Sequence, residues 1–182
     1  MPDSDNRRTR KTLTGDFAPN PRADYVELGV TTPYSFLRGA SEARELVGAA
    51  HALGYDTLGV ADLNTMAGVV RLHAAAKKAN LRPVIGCRLR LKTGEEFLAY
   101  PQDRVAYGRL CSLLTKGKRL DPDGVWQAKG ACDMMLDDLA AHADGVRLIA
   151  LPDDSLPARL PELKRRLPTL RHIAVSYLYR GD

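Results

Sequence analysis

The chain has 182 residues, 45% of them apolar, and carries 27 Lys and Arg against 22 Asp and Glu. That length suits one domain with a real core, and no apolar run reaches the ~18 residues of a membrane helix. The first 24 residues lack the apolar stretch of a secretory signal, so a soluble, cytoplasmic protein is expected. Cys87, Cys111 and Cys132 are odd in number and show no CxxC spacing, which argues against a disulfide framework or a zinc knuckle. The net charge of +5 permits contact with nucleic acid. However, the basic residues are scattered and only 6% of residues are aromatic, a poor basis for a base-stacking platform.

Residues 1–24 are polar and charged and read as a disordered lead-in; a folded domain is expected over 25–182. In Tyr25-Val26-Glu27-Leu28-Gly29-Val30-Thr31 the alternation predicts a strand, closed by Pro33. Ser41 stands where a helix N-cap belongs, followed by Leu46, Val47, Ala50 and Leu53 at helical spacing and a stop at Gly54. Residues 57–61 predict a short buried strand ending in Asp62. A second helix is expected from about Ala67 through Val70 and Ala74 to Lys78, and a strand over 83–89.

The alternation continues with a strand over 96–100. Asp103 then caps a helix bearing Val105, Leu110, Leu113 and Leu114. A Gly-, Lys- and Asp-rich loop occupies 117–133, followed by a helix over 136–142 and a strand over 146–151. Leu156, Leu160, Leu163 and Leu167 share a helix face, and 171–179 predicts a last strand. Alternating strands and helices imply an α/β architecture on a mainly parallel sheet.

Ligand sites in such folds lie at the carboxyl ends of the strands. There the chain offers Gly29 to Thr32, Asp62 to Asn64, Arg88 and the segment following Tyr100. A hydrolytic metal site needs several His, Asp or Glu, and only Asp62 qualifies, a residue that equally suits a turn or cap. His51, His73, His142 and His172 show no ligand spacing, and Gly39-Ala40-Ser41 lacks a phosphate-loop pattern.

Three segments carry a family resemblance: Tyr25 to Ser41 with Phe36-Leu37-Arg38-Gly39-Ala40-Ser41, then Leu53 to Leu91 with Ala67-Gly68-Val69-Val70, then Tyr100 to Arg119 with Tyr107-Gly108-Arg109-Leu110-Cys111. In this order and spacing they resemble the amino-terminal PHP (polymerase and histidinol phosphatase) domain of bacterial DNA polymerase III alpha subunits, within them the error-prone branch. The likeness runs from residue 25 to 182. It implies a distorted β/α barrel of seven strands, and a chain stopping at Tyr179-Arg180-Gly181-Asp182 is expected to leave that barrel incomplete, with strand edges open to association.

The resemblance also implies what the site should hold. Active members bind a cluster of divalent metals and hydrolyse phosphoesters. Their His-x-His pair falls on Gly29 and Thr31 here, their Asp-His on Asp62 and Leu63, and their ligating Glu on Arg88. Asp62 is thus the vestige of a ligand set lost at Gly29, Thr31, Leu63 and Arg88, and a guanidinium in place of a carboxylate repels a cation. No catalytic residue and no cofactor are expected.

The family's polymerase chemistry belongs to a downstream palm domain, which 182 residues do not include. The implied role is that of a non-catalytic structural or interaction module of a polymerase working in DNA repair, replication and translesion synthesis. Its implied partners are the remainder of a polymerase or another polymerase subunit, with DNA only in that context and no membrane. A rival reading is a free-standing metal-dependent phosphoesterase using Asp62, His73 and Glu27. Another is a basic module that binds DNA alone, with a steep salt dependence.

Overall fold

The computed structural model describes residues 25–119 and 125–175. The lead-in at 1–24 and the end of the strand expected over 171–179 lie outside the described residues. The element order is α1 (Ala43–Ala52), β1 (Thr57–Leu63), α2 (Val69–Lys78), β2 (Arg82–Arg90), β3 (Glu96–Pro101), α3 (Arg104–Gly117), α4 (Leu136–His142), β4 (Val146–Ala150), α5 (Leu156–Arg166) and β5 (Leu170–Ile173). Among the described residues, the strands form one five-stranded sheet in the order β1-β2-β3-β4-β5. The α/β class stands.

The sheet is mixed rather than mainly parallel. Strands β1 and β2 pair parallel across α2, and β4 and β5 pair parallel across α5, whereas β2–β3 and β3–β4 are antiparallel. The reason is local for the first reversal. Only Leu91 to Glu95 separate β2 from β3, too few for the crossover that a parallel pair requires. Gly94 takes φ +104° in this turn, a region that costs glycine nothing.

The segment over 25–31 is extended but is not a regular strand. Val30 bridges Val60 in parallel, its N–H donating to the Gly59 carbonyl at 3.2 Å, while the Gly59 N–H donates to the Glu27 carbonyl at 2.7 Å. The Glu27 carboxylate folds back to accept the Gly29 N–H at 2.7 Å, a local turn that competes with continuous pairing. Gly59 permits the close approach: a Cβ there would sit 2.6 Å from the Leu28 Cα.

Helix α1 begins one residue later than the Ser41 reading. Glu42 is its N-cap, and the Glu45 carboxylate accepts the Glu42 N–H at 2.7 Å, half of a capping box. Val70 and Val105 point outward. The core-facing stripe of α2 is Val69, Leu72 and Ala76. Asp103 caps α3 as predicted, accepting the Ala106 N–H at 2.7 Å.

Pleat alternation divides the core. Cys87, Leu89, Phe97, Ala99 and Leu148 face α3, α4 and α5, and pack with Leu110, Leu113, Leu139 and Leu163. Leu58 and Val60 pack with Val47, Leu72 and Ala76 of α1 and α2. On the other face Ala61, Leu98 and Tyr100 join Leu28 and Val84. The Tyr100 ring lies over Gly86, where a Cβ would fall 2.4 Å from Cε1, and its hydroxyl donates to the Leu28 carbonyl.

Candidate functional site

Two polar clusters occupy the carboxyl end of β1 and β2, and the register separates them. Asp62 pairs with Cys87, and Leu63 pairs with Arg88. Paired residues share a face and successive residues alternate, so Asp62 and Arg88 project from opposite faces of the sheet. The expectation that they stand around one ion is corrected by this half-period.

Asp62 is 1% exposed. Its Oδ1 accepts the Thr32 N–H at 2.8 Å and the Ser35 hydroxyl at 2.7 Å, and its Oδ2 accepts the Thr32 hydroxyl at 2.7 Å. The Ser35 Oγ accepts in turn from the Leu63 N–H at 2.8 Å. The Thr32–Ser35 turn is closed by the Ser35 N–H donating to the Thr32 carbonyl at 3.0 Å. A buried carboxylate persists when hydrogen bonds replace its hydration, each worth about 1.5–3 kcal/mol. Asp62 therefore clamps the loop after residue 31 onto the end of β1. Gly68 closes over this pair, since a Cβ there would lie 2.4 Å from Asp62 Oδ2.

The second cluster centres on Glu96. Arg90 and Glu96 are cross-strand partners, and Arg88, two residues earlier, shares their face. Arg88 donates through Nε to Glu96 Oε2 at 2.5 Å and Arg90 through Nε to Oε1 at 2.5 Å, each adding a second contact from a terminal nitrogen. Arg38 approaches Oε1 at 3.7 Å. Burial alone would raise the Glu96 pKa, but the hydrogen bonds and charges of Arg90 and Arg88 outweigh it and hold the carboxyl below its usual range.

The remaining expected positions are spent locally. The Gly29 N–H is held by Glu27, and the Thr31 hydroxyl donates to the Gly29 carbonyl at 3.3 Å. Leu63 contributes its backbone N–H to Ser35. Of the rival trio, Glu27 is also engaged by the Tyr25 hydroxyl at 2.9 Å, and His73 lies exposed on α2. Among the described residues, no group of three or more His, Cys, Asp or Glu could hold a metal ion. The donor set does not fit a divalent cluster: one carboxylate is consumed by hydroxyl and amide donors, the other by guanidinium groups.

Ser35, Arg90 and Glu96 were not singled out as site residues in the sequence; Thr32 entered only within the Gly29–Thr32 segment, and Arg38 and Gly68 only within family motifs, none with a role of its own. Arg88-Leu89-Arg90 followed by a five-residue turn and Glu96 did carry a readable signal, two same-face cations opposite an anion across a hairpin. Nothing in the sequence marks Thr32 and Ser35 as partners of a residue 30 and 27 positions away.

The PHP domain model matches residues 27–170. The chain belongs to the PHP domain family. Error-prone DNA polymerase 1 of Agrobacterium fabrum strain C58 is 44% identical over 161 residues, 87% of this chain and 14% of that protein. Error-prone DNA polymerase 3 of the same strain is 49% identical over 129 residues, 71% of this chain and 11% of that protein. The PHP chain thus spans a small part of these relatives' length. Among solved structures, an amidohydrolase from Chromobacterium violaceum with bound sulfate and no metal matches with TM-score 0.60 and 13% identity, over 81% of this chain and 75% of that one. A protein from Bifidobacterium adolescentis assigned as a metal-dependent phosphoesterase matches with TM-score 0.61 and 14% identity, over 84% and 77%. At such identity these two establish the fold of the PHP chain alone. No helix among its described residues is long and apolar enough to cross a membrane.

Proposed function

We propose that this PHP domain is a non-catalytic structural and interaction module related to the amino-terminal part of an error-prone DNA polymerase. In this reading it braces the polymerase body, and its partners are the remainder of such a polymerase or another polymerase subunit. DNA is met only through them, in translesion synthesis and repair in the cytoplasm. Nucleotidyl transfer is assigned to the larger protein and not to this chain.

One observation carries the reading. The lone carboxylate at the expected metal position, Asp62, spends both oxygens on Thr32 and Ser35, a use that fastens a loop and leaves no metal-binding pair. The identity to error-prone polymerases, 44% and 49% in the two relatives above, supports the assignment to that branch over a free-standing phosphoesterase.

Calorimetric titration with manganese and zinc, alongside hydrolysis of p-nitrophenyl phosphate, tests it. No stoichiometric binding and no turnover are expected. Stoichiometric binding, with hydrolysis abolished in Asp62→Asn, overturns the reading.

A further inference from the structure

Helices α1 and α2 leave a groove of about 1040 Å³ between them. Ala43, Val47 and Gly48 line it from α1, and Ala75 and Ala79 from α2. Ala43 and Val47 are four residues apart, as are Ala75 and Ala79, so each pair lies on one face of its helix. Val47 belongs to the core cluster beneath, and the three alanines pack against that cluster, which fixes the floor. A Cβ on Gly48 would meet nothing within 4 Å. The space above this part of the floor is therefore open.

The rim is charged, and one sign prevails. Arg44 lines the groove from α1, and Arg71 and Lys78 line it from α2, against Glu42 as the single carboxylate in the lining. All three cations are exposed. Among the described residues, Arg44 and Lys78 enter no ion pair, and the Arg71 guanidinium is partnered by the Tyr34 ring alone, 5.7 Å from its centroid. An apolar floor between cationic walls complements a ligand with an apolar stripe flanked by carboxylates. A helix presents that pattern, its stripe falling at i, i+3, i+4 and i+7. Arg71 and Lys78 are two turns of α2 apart, about 10 Å, so carboxylates seven residues apart on a helix lying along α2 reach both.

We propose that the groove between α1 and α2 docks an acidic amphipathic helix of a partner protein. The inference rests on reading the chain as an interaction module, and it gives that module a surface and a partner chemistry. The two fail separately, since metal binding and hydrolysis test the module reading and peptide binding tests the groove.

The experiment uses the 182-residue chain and a fluorescein-labelled helical peptide, titrated by anisotropy. The peptide carries leucines at i, i+3, i+4 and i+7 and glutamates seven residues apart on both flanks. A second peptide with serines in place of the leucines keeps the charge and removes the stripe. Gly48→Glu is the first variant; it fills open space and exchanges a glycine inside a helix for a better helix former, so the fold is kept. Lys78→Glu is the second, and Arg165→Glu, the same change of charge at an exposed position of α5, is the control. Saturable binding of the leucine peptide is expected, weakened roughly tenfold by Gly48→Glu, where bulk and a like charge enter the groove together. Lys78→Glu should weaken it about threefold, as the loss of an exposed ion pair does, and Arg165→Glu should leave it unchanged. No saturable binding overturns the proposal. So does equal binding of the serine peptide, which would reduce the groove to a diffuse charge, or variant effects no larger than that of Arg165→Glu.

Discussion

Gly68 and Asp62 are in contact at a distance that excludes any side chain at the glycine: a Cβ on Gly68 would lie 2.4 Å from Asp62 Oδ2 and 2.5 Å from Thr32 Oγ1. Gly68 has φ −76°, so its backbone makes no demand for glycine and the requirement is one of space. Gly68→Ala is predicted to cost about 1–3 kcal/mol, as other insertions into packed sites do. A lower urea midpoint with an unchanged slope is the expected readout. A neutral substitution would show that the Thr32–Ser35 loop can slide away from β1.

Asp62→Asn keeps the size of the side chain and removes its charge. The amide oxygen can keep the Thr32 N–H and the Ser35 hydroxyl, while the NH2 stands at the Thr32 hydroxyl, which must turn to accept, and all three bonds lose the assistance of the charge. A loss of about 1–3 kcal/mol is predicted. Hydrogen exchange at the Thr32 amide should accelerate along with it. If stability is retained, the clamp is not what holds this loop.

Glu96 makes stability depend on acid pH, and the sign follows from its lowered pKa. Its folded-state carboxyl titrates below the ordinary value of 4.5 because Arg90 and Arg88 outweigh the effect of burial. Its contribution is therefore present above the unfolded-state value and is lost as pH falls through the folded one. Asp138 and Asp153 are also lowered, so the comparison that isolates Glu96 is with Glu96→Gln. Urea midpoints measured from pH 6 down to pH 3 should converge for the two proteins at the acid end. Parallel curves would remove Glu96 from the account.

Cys87 is fully buried, and burial pushes its thiol up to about 12. Thiolate is the reactive form, so Cys87 should resist iodoacetamide at pH 8 while the fold is intact. Cys111 and Cys132 are half-buried and should be modified first. Peptide mass mapping before and after unfolding in urea reads this directly. Early alkylation at Cys87 would mean that β2 opens on the timescale of the reaction.

The local rules of the chain were legible without the fold. Helix α4 and the Asp103 cap fall where periodicity and capping chemistry put them, and β1, β2, β3 and β4 lie within a residue or two of their expected ends. These features depend on neighbours a few positions apart, and so they can be read from order alone. The direction of β3 was equally implicit in the five residues that precede it, although alternation by itself suggested a parallel sheet.

The site was decided by contacts that span the chain. Motif order placed Asp62 and Arg88 at the ends of adjacent strands, yet face is a matter of register, and a shift of one residue in pairing reverses it. Only the pairing of Leu63 with Arg88 reveals that the two point apart. Only tertiary packing brings Thr32 and Ser35 to Asp62 and Arg38 toward Glu96. Whether a charged side chain waits for a ligand or fastens a loop depends on which donors surround it, and those arrive from elsewhere in the fold.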